Sequence, residues 1–323
     1  MPEGGELPDL DAIRAAHARI APFVHRTPVM SCTAIDEQAG ASLFFKCEHL
    51  QKIGAFKARG ACNAVFSLDE ATARRGVVTH SSGNHGAALA YAARRRGIRA
   101  WVVMPENAPA VKRANVERFG ATVRLCAPNV AAREAACAEV ARESGATLIH
   151  PFDDPRVIAG QGTAALELLE AVGDLDAIVA PCGGGGLLSG TAIAAKGLRA
   201  SIDVLGAEPA NADDAARSFA SGRLEPLPAT TTIADGLRTT LAPRTLAALR
   251  AHVKAFGTCS EASIVRAMRM IFERMKQVVE PSAAVPLACL LDRSLDVAGR
   301  RVGIVVSGGN VDLDRLPWLG ANA

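Results

Sequence analysis

Short apolar, β-branched runs alternate with alanine-rich stretches along almost the whole chain. Runs at 42–48 (SLFFKCE), 76–80 (GVVTH), 99–104 (RAWVVM), 121–126 (ATVRLC), 147–151 (TLIHP), 177–181 (AIVAP), 203–208 (DVLGAE) and 301–307 (RVGIVVS) have the length and composition of strands. Between them, NHGAALAYAARRR, APAVKRANVERFG, VAAREAACAEVARESG and SEASIVRAMRMIFERMKQ bring apolar residues round at intervals of three and four, the period of a helix with one buried face. Strand and helix in alternation predict an α/β protein with parallel sheets and crossover helices. In such sheets the loops at the carboxyl ends of strands make the ligand site. Four loop segments follow predicted strands in this way: SSGNHG, PCGGGGLLSG, EPANADD and SGGNVD.

Composition adds little to this picture and removes several function classes. With 323 residues, 49% of them hydrophobic, the chain can bury a large core, in two lobes or one large α/β domain. Lys and Arg exceed Asp and Glu by three, and the one basic run, Arg94 to Arg96, closes a predicted helix, where cations suit the dipole. A nucleic-acid partner is therefore not expected. The acidic start MPEGGELPDLD lacks the order of a signal peptide, and no apolar run reaches membrane length, so a cytoplasmic protein without a membrane partner is expected. Eight scattered cysteines with no C-x-x-C pair point to small core residues rather than a zinc site or a disulfide framework.

The chemistry lies in the loops. In CGGGGLLSG, Cys182 to Gly190, the glycines Gly183, Gly184, Gly185 and Gly186 let successive N–H groups converge on an anion at a helix N-terminus. No G-x-G-x-x-G spacing starts there, so the monophosphate of a compact cofactor suits the loop better than a dinucleotide. Ser81, Ser82, Gly83, Asn84 and His85 can grip a carboxylate at a second helix start; a serine cap with turn residues is the alternative. Glu208, Asp213 and Asp214 offer hard oxygen donors to Mg2+ or Ca2+, or cap the next helix as solvated acids. Lys57, in GAFKARGA, reads first as a snorkelling surface lysine, as most lysines are, with an amine that Phe56 and Ala55 desolvate as the alternative. Its own segment does not decide.

Together and in order, these segments resemble the fold-type II pyridoxal-phosphate enzymes, specifically the serine racemase and serine/threonine dehydratase family, over nearly the whole chain. The resemblance implies a tryptophan synthase β-like fold of two open, twisted, mostly parallel sheets flanked by helices. Residues 1–75 and 151–323 would form the large, cofactor-binding domain and 76–150 a small substrate domain inserted in it. It implies that Lys57 carries pyridoxal 5'-phosphate as an internal aldimine, with Phe56 against the ring and Asn84 on its phenolic oxygen. Gly183 to Gly186 and Leu187 would hold the phosphate, Ser307 would face the pyridine nitrogen, and Glu280 would be an acidic contact near the cofactor. A neutral hydroxyl at the pyridine nitrogen tempers the electron sink without abolishing it. Ser81, Ser82, Gly83, Asn84 and His85 would hold the substrate carboxylate, and Glu208, the Ala212 carbonyl and Asp214 a divalent metal, Mg2+ or else Ca2+ or Mn2+. The implied reaction is β-elimination of L-serine- or L-threonine-type substrates to a 2-oxo acid and ammonia, by a homodimer.

Departures from the family pattern bear on the finer assignment. Ser82 matches the second serine that racemases use as an acid/base on the opposite face of the substrate. Phe152, in HPFDDP, is dehydratase-like, and Ile53 and Ala55 replace hydroxyl residues of the lysine segment. Cys32 to Ala34 differ from the nucleotide-contacting stretch of animal racemases, so ATP activation is not expected. The chain stops shortly after SGGNVD, so a regulatory domain of the biosynthetic threonine dehydratase kind is not expected either. Serine racemase, 3-hydroxyaspartate dehydratase, a β-replacement enzyme and a non-catalytic cofactor- or metabolite-binding protein remain alternatives.

Overall fold

The computed structural model describes residues 6–81, 83–108 and 110–319. Among them, ten strands form two sheets: β1 (Val29–Met30), β2 (Ser42–Lys46), β3 (Val77–His80), β4 (Ala100–Pro105), β5 (Thr122–Cys126), β6 (Thr147–Leu148), β7 (Ala177–Pro181), β8 (Asp203–Pro209), β9 (Ala255–Cys259) and β10 (Arg301–Val305). The six-stranded sheet has the order β1-β2-β10-β7-β8-β9 and the four-stranded sheet β5-β4-β3-β6. Only the β1–β2 pair is antiparallel. Both sheets are thus the parallel kind that the alternating pattern predicts.

Parallel strands need both faces covered, and successive side chains meet different layers. Ala177 and Val179 of β7 join the apolar cluster under the helix Pro281–Leu291, with Leu43, Phe45, Val302 and Ile304. Ile178 and Ala180 join the opposite cluster, with Ile158 and Leu168 of the helix Pro155–Val172 and Leu188 and Ile193 of the helix Gly186–Leu198. The four-stranded sheet repeats the arrangement: Val77 and Val102 face one layer, Val78 and Val103 the other. All four of its strands lie between Val77 and Leu148. Its first layer also draws in Ile20, Ala61, Cys62, Ala64 and Val65, so the helix Lys57–Phe66, packed on the helix Asn84–Arg96 that covers the sheet, joins this layer although it precedes it in sequence.

That helix lies against Pro155–Val172 at Gly60 and Gly160, where a Cβ on Gly160 would stand 2.6 Å from the Gly60 Cα. The close approach permits a buried ionic quartet beside the crossing. Arg59 donates to both oxygens of Glu48 and of Glu167 at 2.7–2.8 Å, and Lys46 Nζ donates to Glu167 at 2.7 Å. Arg59, Lys46, Glu48 and Glu167 are all fully or almost fully buried.

Several expectations need correction. The apolar stretch to residue 277 is not one helix: it is helical over Glu261–Met270, widens to a π-turn over Ile271–Met275, and ends at Lys276 in the left-handed region (φ 59°). The pairing of TLIHP is confined to Thr147–Leu148, and RVGIVVS is strand only to Val305. β1 and β9 were not expected from the sequence. Seven of the eight cysteines are buried, and all are free. No helix among the described residues is long and apolar enough to cross a membrane.

Candidate active site

The last strand in sequence, β10, lies between β2 and β7. That crossover brings the segments after residues 46, 181 and 305 to one end of the sheet. The Phe56 N–H donates to the Ser307 carbonyl at 3.0 Å, Ala55 bridges Gly308, and the Glu280 N–H donates to the Gly308 carbonyl at 3.0 Å. The lysine segment, SGGNVD and VEPSAAV are thereby joined through main chain.

Lys57 is the first residue of its helix. Its Nζ turns inward, donates to the Pro151 carbonyl at 2.8 Å and lies 5.1 Å from the centre of the Phe56 ring. Burial of the amine lowers its pKa to about 8. Lys57 is half-buried, but its Nζ is held on the Pro151 carbonyl rather than extended into water, which favours the desolvated amine over the snorkelling alternative. Two neutral imidazoles lie near it. His85 is held well below the usual histidine range by burial and then by the Lys57 charge. His150 is held at about 4 by burial, then by His80 and Lys57. His150 Nδ1 accepts the Asp153 N–H at 2.9 Å, which leaves the ring proton on Nε2.

The glycine loop follows β7. A Cβ on Gly184 would stand 2.3 Å from the Phe152 ring, and Gly185 has φ 85°, so side chains are barred there by packing and by backbone conformation. The loop and the first turn of Gly186–Leu198 are buried. Yet the N–H groups of Gly183, Gly184, Gly185, Gly186 and Leu187 have no acceptor among the described residues. Buried amides without acceptors at a helix N-terminus fit a phosphate well.

Asn84 begins the helix Asn84–Arg96, and its Nδ2 lies 3.1 Å from both carboxylate oxygens of Glu280. Burial raises the Glu280 carboxyl to about 7, against the opposing effect of the Asn84 hydrogen bond. Ser307 is buried, and its hydroxyl makes no hydrogen bond to a described residue. Gly83 caps the helix, its N–H held by Ser81 Oγ at 3.2 Å; His85 is buried, with Nδ1 unpartnered among the described residues. Ser82 lies outside the described residues.

Glu208 accepts the N–H groups of Ala215 and Ala216 at 3.3 and 2.7 Å, which leaves the Ala212 carbonyl without a donor among the described residues. Asp214 is fully buried, with both carboxylate oxygens unpartnered among the described residues. Burial, and for Glu208 also the Asp214 charge, pushes both carboxyls up, Asp214 to about 6. No cluster of three or more His, Cys, Asp or Glu side chains among the described residues could hold a metal. The donor set here is two carboxylates and a carbonyl, hard oxygens that fit Mg2+ or Ca2+.

Sequence reasoning missed Pro151, whose carbonyl receives the amine, and the wall of Gly236 and Thr239, which a Cβ on Gly183 would meet at 3.1 Å. It also gave Asn310 no role, although Asn310 Nδ2 donates to Asn84 Oδ1 at 2.9 Å. Pro151 and Asn310 both stood in quoted motifs, HPFDDP and SGGNVD, whereas Gly236 and Thr239 had no such signal.

Comparison with known proteins identifies the family. Residues 20–308 match the family described as pyridoxal-phosphate dependent enzyme. The chain is 50% identical over 312 residues to a beta-hydroxyaspartate dehydratase of Paracoccus denitrificans, covering 97% of this chain and 99% of that one. It superposes on the structure of maize serine racemase with a TM-score of 0.94 at 50% identity, covering 96% of this chain and 95% of the other. For the serine racemase of Dictyostelium discoideum the TM-score is 0.90 at 49% identity, covering 94% and 99%. The fold thus has its counterpart in one family, and this chain belongs to the pyridoxal-phosphate dependent enzymes.

Proposed function

We propose that this chain catalyses β-elimination from a small β-hydroxy amino acid of the L-serine or L-threonine type, releasing a 2-oxo acid and ammonia. The observation that carries the reading is Lys57: an enclosed amine, lowered to about 8 by burial, on the segment tied to Ser307 and Glu280. Bound pyridoxal 5'-phosphate supplies an electron sink for the pair left on Cα when its proton is removed.

The residues do the rest. Lys57 Nζ takes the Cα proton, and its lowered pKa keeps a share of it uncharged near neutrality. Ser81, Ser82, Gly83, Asn84 and His85 hold the substrate carboxylate at the start of the helix Asn84–Arg96, where backbone dipoles favour an anion. The amides of Gly183 to Leu187 hold the cofactor phosphate, and Ser307 gives the pyridine nitrogen a neutral partner. With the β-hydroxyl lost as water, hydrolysis of the released enamine gives the 2-oxo acid and ammonia. Residues 76–150 act as the small substrate domain, a reading supported by the four-stranded sheet that they contain. The enzyme works as a cytosolic homodimer.

A second substrate reading is favoured by one finding, the 50% identity to a beta-hydroxyaspartate dehydratase over nearly the full length of both chains. One experiment separates these readings. Purified holoenzyme is incubated with L-serine, L-threonine and both 3-hydroxyaspartate diastereomers, and oxo acid and D-amino acid are measured. Oxo acid from serine or threonine at the higher kcat/KM supports the first reading, and from hydroxyaspartate the second. No oxo acid from any of them removes both. Ser82→Ala is expected to abolish D-serine formation and retain elimination, since Ser82 serves the opposite face.

Glu208, the Ala212 carbonyl and Asp214 hold a divalent metal, chiefly Mg2+. Chelation is expected to lower the melting temperature and Mg2+ to restore it. A ligand at a hundred times its Kd adds about 2.7 kcal/mol. Asp214→Asn should abolish the Mg2+ response; a response unchanged in that variant would place the metal elsewhere.

A further inference from the structure

Asn310 has no part in the reaction as proposed, and it is exposed at the surface. Its side-chain amide is nevertheless committed at two points, with Nδ2 donating to the Ile53 carbonyl at 2.8 Å and to Asn84 Oδ1 at 2.9 Å. The first acceptor is a fixed post. Ile53 holds φ 60°, a left-handed conformation that β-branched residues rarely adopt. The next residue, Gly54, is pinned through its carbonyl to the Gly309 N–H at 2.9 Å. This post stands four residues before Lys57.

The second acceptor matters because the two ends of an asparagine amide differ chemically. Asn84 Nδ2 faces the Glu280 carboxylate, which when ionised only accepts, while Asn310 Nδ2 only donates. Both neighbours select one orientation, with Oδ1 towards Asn310 and the NH2 edge towards Glu280. Glu280 alone cannot enforce it. Burial raises its carboxyl to about 7, so near neutrality a large share carries a proton and could equally donate to Oδ1. Asn310 has no such second form.

We propose that Asn310 is a positioning residue, holding the Asn84 amide so that its NH2 edge faces into the site and donates to the phenolic oxygen of the cofactor. The proposal rests on the reading of Asn84 as the contact to that oxygen.

Asn310→Asp keeps the shape and replaces the donor with an acceptor. In the holoenzyme at fixed pH, the visible absorbance and circular-dichroism band of the bound cofactor is expected to shift. Cofactor loss on dilution should quicken about three- to tenfold, the scale of one neutral hydrogen bond. The melting temperature of the cofactor-free protein should fall by no more than about 2 °C, the scale of an exposed hydrogen bond lost in a chain of this size. Asn84→Ala should alter the same band, and adding Asn310→Asp to it should change nothing further. Additive spectral changes in the double variant would overturn the proposal, as would a band unmoved in Asn310→Asp but moved in Asn84→Ala. An equal loss of stability in the cofactor-free Asn310→Asp protein would mark a merely structural role and also overturn it. A band unmoved in Asn84→Ala overturns the reading of Asn84 itself, and the proposal with it.

Discussion

Lys57→Ala is expected to leave a folded protein with no borohydride-sensitive visible absorbance and with turnover reduced by roughly a thousandfold or more, the scale of losing a general base. The size follows from where the amine sits. Among the described residues its one hydrogen bond is to the Pro151 carbonyl, and burial lowers its pKa to about 8. At pH 7 such an amine is uncharged on the order of a tenth of the time, roughly several hundred times more than an ordinary lysine. Lys57→Arg keeps a cation at the position and supplies no nucleophile, so it should be as inactive as the alanine variant. The sign for stability runs the other way. The folded state disfavours the charged amine, a penalty absent above the unfolded pKa of 10.5 and fully present below about 8. The cofactor-free Lys57→Ala protein is therefore expected to melt no lower than its parent near pH 7. Full activity in Lys57→Ala would remove the proposed mechanism.

The fold was legible in the sequence where one pattern dominated. Val77 and Val78, or Ala177 and Ile178, sit in fully buried parallel strands, and their unbroken apolar runs say so. β9 escaped because AFGTC is broken by glycine and polar residues, and β1 because two residues carry no periodicity. The π-turn at Ile271–Met275 preserves helical spacing closely enough that only the left-handed Lys276 betrays it.

At the site, the glycine loop was legible because four glycines at a strand-to-helix junction have few other uses. Lys57 was ambiguous in its own segment, since desolvation comes from Pro151 and its neighbours, far away in sequence and brought close by the insertion of β10 between β2 and β7. For the same reason Asn310 could not be assigned: its partners lie 226 and 257 residues away. Arg59 and Lys46 drew no reading from the sequence. Their burial depends on an approach of two helices that no local pattern encodes.

Arg59→Ala is accordingly expected to have the largest effect on stability, about 3–5 kcal/mol, the scale of breaking a buried ion pair by removing one partner. Arg59 is fully buried, and its guanidinium forks onto Glu48 and Glu167. Burial would lower its pKa, but the two carboxylates outweigh that and raise it. Burial would likewise raise the Glu167 carboxyl, but hydrogen bonds from His17 and Arg59 and the charges of Arg59 and Lys46 hold it well below the usual range. Removing Arg59 leaves Glu48 buried and short of its main partner, with only Lys46 and the His17 hydrogen bond to offset Glu167. Arg59→Lys should recover part of the loss, because an ammonium cannot supply the same bidentate geometry to two carboxylates. Urea unfolding of the cofactor-free protein measures this without reference to turnover. The quartet also sets a pH dependence. With its folded pKa depressed, Glu167 contributes stability that is fully present above the unfolded value of about 4.3 and lost as pH falls towards the folded one. In Arg59→Ala that protection is weakened, so acid unfolding should begin at a higher pH than in the parent. Since Arg59 lies two residues beyond Lys57 on one helix, catalytic loss in this variant should track the unfolded fraction and recover under stabilising conditions. An Arg59→Ala protein that unfolds at the parent's urea midpoint would mean that packing around Gly60 and Gly160, rather than the ionic quartet, fixes this helix.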